Sequence, residues 1–117
     1  ALDALCDIVD ATRDWSEDNA DRSRLSLALN GAATSGRVIF AALGDAARLE
    51  YTVIGEAVNL AAKLEKHNKT EGTTALTTAR TLEAAIIQGY RPQRPLTHLT
   101  DRRVAGAGEP LGLVVVA

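Results

Sequence analysis

The run Tyr51-Thr52-Val53-Ile54-Gly55-Glu56-Ala57-Val58-Asn59-Leu60-Ala61-Ala62-Lys63-Leu64 decides how this chain is read. Its first four residues are aromatic or β-branched, the composition of a short strand, and Gly55 closes them. From Glu56 the period changes. Ala57, Leu60, Ala61 and Leu64 recur at helical spacing, which predicts a helix over 56–68 with Glu56 well placed in its first turn. Asn59 and Lys63 stand four residues apart, so they are neighbours beside the apolar stripe. Asparagine is a poor helix-interior residue and needs a reason to be there. An amide beside a cation can hold an anionic or ribose-bearing ligand. Polar pairs at this spacing are also common on exposed helices, so on spacing alone a solvated surface pair is the better reading.

Upstream, Leu25 to Asn30 alternates strictly between apolar and polar residues and predicts a half-buried strand. Gly31 to Gly36 is small and turn-prone, and Val38 to Leu43 predicts a second strand ending at Gly44. The two strands are expected to pair as an antiparallel hairpin, with Asp45 to Glu50 a polar connection. Nearer the start, Leu2, Leu5, Cys6 and Val9 share one face of a helix predicted over 2–15, followed by a polar loop from Ser16 to Ser23. Asp3, Asp7, Asp10 and Asp14 form a second stripe on that helix. Carboxylates spread over three turns do not converge on one ion, so the stripe reads as a solvated face.

Downstream, Thr73 to Thr77 is rich in β formers, and Thr77 or Thr78 can cap a helix running to Gln88, with Gly89 at the left-handed position beyond its end. Past Pro92 and Pro95 the chain predicts strands at 96–99, 102–105 and 111–116, the last two joined across Gly106-Ala107-Gly108-Glu109-Pro110. The order predicts an α+β fold with helices packed on one face of a mostly antiparallel sheet.

Composition narrows the function. The chain has 117 residues, room for a single domain, and 46% hydrophobic with 24% charged residues is an ordinary globular balance. With 13 Lys and Arg against 15 Asp and Glu, the net charge of -2 supports no basic face for nucleic acid. No apolar run is long enough for a membrane segment. A lone cysteine, Cys6, excludes an intrachain disulfide and fits a reducing, cytoplasmic setting. Aromatic residues make up 3% and Met is absent, so the core must rest on small aliphatic side chains, with Trp15, Phe40 and Tyr51 as its few large fillers. Such a core is thin for this length and hints at apolar surface meant for a partner. No phosphate loop or dinucleotide fingerprint is present. His67 and His98 have no partners at zinc-ligand spacing and read as surface residues, and Ser35 has no histidine nearby.

The contiguous block from Tyr51 to Leu64 closely resembles the signature of class III adenylate/guanylate cyclase catalytic domains, which reads Tyr-Thr-Val-Ile-Gly-Asp/Glu-x-Val-Asn-Leu-Ala-Ala-Arg-Leu. Weaker similarity reaches both sides. Thr34-Ser35-Gly36 to Gly44 resembles the family's His-Thr-Gly strand-turn-strand, and Val104 to Pro110 resembles its Val-Lys-Gly-Lys-x-Glu-Pro end. The resemblance implies a partial ferredoxin-like nucleotide cyclase fold, with residues 1–117 as a single domain forming the C-terminal portion of the catalytic domain. It implies conversion of ATP to cyclic AMP and pyrophosphate, at sites shared between two cyclase domains in a homodimer.

On this resemblance Asn59 matches the asparagine that orients the ribose, Lys63 the arginine that meets charge at the α-phosphate, and Thr52 the adenine-selecting position. The Mg²⁺ cofactor would be bound by aspartates that this chain lacks, so the fragment itself is expected to be inactive. Two departures stand out. Lys63 offers a point charge for a planar fork, and Ala105 stands where a phosphate-binding lysine is usual. Ala41 also replaces a common glycine. The alternative is a non-catalytic cyclase homology domain serving dimerisation or nucleotide sensing.

Overall fold

The computed structural model describes residues 1–20 and 27–117. In chain order its elements are α1 (Leu2–Asp18), β1 (Gly31–Ala33), β2 (Ile39–Asp45), β3 (Arg48–Ile54), α2 (Glu56–Glu71), β4 (Ala75–Thr78), α3 (Ala79–Ile87), β5 (Thr97–Arg102) and β6 (Leu111–Val115). Four strands form a sheet in the order β1-β4-β6-β5, and β2 pairs with β3 as a separate ribbon. Only the β1–β4 pairing is parallel, so the architecture is α+β on a mostly antiparallel sheet, as expected.

The helices do not share one face. All four residues of β4 are buried, which requires cover on both sides. Ala75, with Val114 and Val116, packs with Leu2, Cys6 and Val9 of α1 and Leu82 of α3. The alternate residues, Leu76 and Leu113, pack with Leu64 of α2 and Val104. The sheet therefore has α1 and α3 on one side and α2 on the other. Cys6 is a buried small hydrophobe whose thiol donates to the Val116 carbonyl at 3.2 Å.

The expected hairpin between 25–30 and 38–43 does not form. Residues 21–26 lie outside the described residues, 27–30 are in no regular element, and the strand found is Gly31–Ala33. It pairs parallel with β4, a contact between distant segments that no local pattern announces. The ribbon is instead made by β2 and β3. Asp45 Oδ1 accepts from Ala47 N at 2.9 Å and Arg48 N at 3.1 Å, an Asx turn that converts the expected polar connection at 45–50 into a tight reversal and starts β3 at Arg48.

The large side chains are also not core fillers. Phe40 is 78% exposed, Tyr51 84% and Trp15 42%, and the core is made of Leu, Val, Ala and Cys. Phe40 and Tyr51 lie on the ribbon, which has no sheet stacked against it to bury them.

Other boundaries differ for local reasons. Helix α1 runs through residues 16–18, where Ser16 Oγ donates to Thr12 O at 2.9 Å. Helix α2 extends to Glu71 because Asn68 supports its last turn from within. Its side-chain nitrogen donates to Gly31 O at 2.8 Å, and its oxygen accepts from Thr73 Oγ1 at 2.9 Å. Thr78 caps α3, accepting from Thr81 N at 3.0 Å. The separate strands expected at 96–99 and 102–105 are one strand, β5, with a register shift between Leu99 and Arg102 where Asp101 takes a φ of 52°. Residues 103–110 form the connection to β6.

Candidate functional site

Helix α2 carries Asn59, Lys63, His67 and Glu71 at successive four-residue steps, a single polar stripe beside the apolar one. Leu64 anchors it, fully buried against the sheet, and so fixes which way the stripe looks. At the N-terminal end the stripe opens into a cavity of about 820 Å³. Asn59 and Lys63 line it together with Arg37 ahead of β2, Arg80 of α3, Glu56, and the Gly106–Glu109 turn.

Gly55 explains why Arg37 reaches the cavity. A Cβ there would sit 2.7 Å from Arg37 O and 3.3 Å from Val38 Cα, so only glycine lets the incoming chain run against the first turn of α2. The cavity's other wall is set by Lys63. Its ammonium donates to Gly106 O at 2.5 Å, fastening the turn before β6 to the helix. Gly106 has a φ of 78°, and a Cβ on it would press on Lys63 Cε at 3.1 Å. Ala105, next to it, is an exposed methyl. Asn59 is exposed, and its side chain makes no hydrogen bond with another described residue.

The other end of the stripe is closed. His67 is buried, not on the surface as its isolation in sequence suggested, and its Nε2 lies 3.0 Å from Glu71 Oε1. Arg102 Nε sits 3.4 Å from the same oxygen and ties the end of β5 to α2. Both ends of the 103–110 connection are therefore held to this helix, one through Arg102 and one through Gly106.

Of the three candidate residues, the structure brings Asn59 and Lys63 to one cavity. Thr52 stands apart from it, half-buried on β3 opposite Ala41. Among the described residues no three His, Cys, Asp or Glu side chains cluster so as to hold a metal ion, and the cavity's carboxylates, Glu56 and Glu109, do not make up a magnesium site. Sequence reasoning missed Arg37, Arg80 and the Gly106 carbonyl. Arg80 left one signal: a cation in the first turn of a helix opposes the helix dipole and asks for another reason to be there.

No protein-family model and no curated protein matches the chain. Among solved structures it is similar to a bacterial light-regulated adenylyl cyclase, with 22% identity and a TM-score of 0.53 over 69% of this chain and 21% of that one. It is likewise similar to the adenylyl cyclase CyaB from P. aeruginosa, with 23% identity and a TM-score of 0.53 over 72% of this chain and 39% of that one. The chain spans well under half the length of these structures. Over most of its residues it shares the fold of these adenylyl cyclases.

Proposed function

We propose that this chain is the nucleotide-facing, C-terminal portion of a class III adenylate cyclase catalytic domain, with ATP as the substrate and cyclic AMP and pyrophosphate as the products. The observation that carries the reading is that Asn59 and Lys63, one helical turn apart on α2, line one cavity with the 106–109 turn. In the reaction the ribose 3′-hydroxyl gives its proton to water and its oxygen bonds to the α-phosphorus, while the bond from that phosphorus to the bridging oxygen breaks and pyrophosphate leaves. The Asn59 amide would hydrogen-bond the ribose and hold that hydroxyl in line. The Lys63 ammonium, at the edge of the cavity, would meet charge developing on the α-phosphate oxygens.

Thr52, on the strand leading into α2, would select adenine. Any magnesium ions would need ligands outside these residues. A second cyclase domain in a homodimer would complete the site.

Assayed in the whole protein, Asn59→Ala lowers cyclic AMP formation by about a hundredfold, the scale of losing one positioning contact in a closed site. Lys63→Arg raises turnover by restoring a fork that can span two phosphate oxygens. Unchanged activity in both variants would refute the assignment.

The exposed methyl of Ala105 and the engagement of Lys63 by a carbonyl favour a second reading, a cyclase homology domain that senses nucleotide or serves dimerisation without turnover. ATP binding that depends on Asn59, with no cyclic AMP formed by the whole protein, selects it.

A further inference from the structure

The cavity beside α2 has a charge problem that Lys63 alone does not solve. Its ammonium is already shared with the Gly106 carbonyl at 2.5 Å, and Ala105 in the same turn supplies no charge. A polyphosphate brings several negative charges, more than one partly engaged ammonium balances. Arg37 lines the same cavity from the segment before β2, and Arg80 lines it from α3. The Arg80 side chain is exposed and forms no ion pair with another described residue, although Glu56 and Glu109 line the cavity too. Nothing local accounts for it. Thr78 already caps α3 through Thr81 N, and an arginine in the first turn meets the unfavourable end of the helix dipole. A planar guanidinium on an exposed arginine that lines a cavity and is in no ion pair with another described residue is suited to gripping two oxygens of a phosphate at once.

We propose that Arg80 grips the terminal phosphates of a polyphosphate ligand in this cavity, supplying with Lys63 the charge that the 105–109 turn does not. The inference rests on the nucleotide reading for the sugar end of the ligand, and on the cavity alone for its phosphate end. Isothermal titration of this chain at low ionic strength tests it, with inorganic tripolyphosphate, ATP and adenosine as probes. Tripolyphosphate binds saturably, Arg80→Ala weakens it by about tenfold, and Arg80→Lys recovers part of the loss, because a point charge keeps attraction but not the fork. Lys66→Ala, which removes an exposed cation of α2 outside the cavity, leaves the affinity unchanged.

No binding of tripolyphosphate, an Arg80→Ala affinity equal to that of the original chain, or an equal loss in Lys66→Ala would each overturn the proposal, the last because it shows diffuse surface attraction. The sugar end is separated by Asn59→Ala, which weakens ATP and adenosine but not tripolyphosphate. ATP that binds no tighter than tripolyphosphate, with Arg80 still required, sinks the nucleotide reading and keeps Arg80. ATP that needs Asn59 and ignores Arg80 does the reverse.

Discussion

At the scale of single residues, the site depends on a glycine as much as on its charged groups. Gly106 takes a left-handed φ of 78° and gives Lys63 both a hydrogen-bond acceptor and room for its stem. Gly106→Ala combines backbone strain with a methyl against Lys63 Cε, so it should destabilise the fold by about 1 kcal/mol and displace the ammonium from its partner. Chemical denaturation reads the first effect and weakened ATP binding the second. Loss of neither would show that the turn is not held as described.

Asn59 and Lys63 were legible in sequence because helical spacing alone makes them neighbours. Gly106 and Arg80 were not legible as their companions, since each comes from a separate element and only tertiary packing brings it in. The burial of His67 was not legible either: its partner Glu71 stands one helical turn away, but the packing of α2 against the end of β5, where Arg102 meets Glu71, comes from tertiary structure.

At the scale of elements, α2 and α3 could be read from periodicity and caps and the second half of β3 from its β-branched residues, whereas β1 and the start of β3 could not. Strand β1 is three residues long and exists through its pairing with β4. Strand β3 begins where an Asx turn lets it. Helix α1 was legible, but its attachment was not. Arg94, in the connection before β5, forks onto both carboxylate oxygens of Asp10, which also pairs with Arg13 at 2.5 Å.

The Arg94 hydrogen bonds hold the Asp10 carboxyl below its ordinary pKa, against a smaller opposing effect of burial. A carboxyl with a lowered folded value stabilises the fold above its unfolded pKa, about 4, and loses that contribution as pH falls through the folded value. The melting temperature should therefore fall more steeply below about pH 4 in the original chain than in Asp10→Asn, which has no proton to gain. Parallel curves for the two proteins would contradict a working clasp.

At the scale of the whole molecule, surface is left over. The chain exposes 8560 Å², where a compact monomer of 12.4 kDa would expose roughly 6100 Å². Among the exposed large apolar side chains, Ile39, Phe40, Leu43, Leu49 and Tyr51 all lie on the β2–β3 ribbon. The paucity of aromatics was legible in composition; that the few present lie outside the core was not, because burial depends on what stacks against the ribbon. The chain should self-associate, and Phe40→Ser with Tyr51→Ser should raise its dissociation constant tenfold or more, since exposed aromatics dominate such contacts. Light scattering that shows a monomer at high concentration without these changes would exclude an interface on the ribbon.

A nucleotide is expected to meet α2 at Asn59 and Lys63. The most direct measurement of this contact is titration of isotope-labelled chain with ATP, followed by NMR. The Asn59 side-chain amide, the Lys63 amide and the Gly106–Gly108 amides should shift together and saturate together. Shifts confined to other surfaces, or none at all, would contradict it.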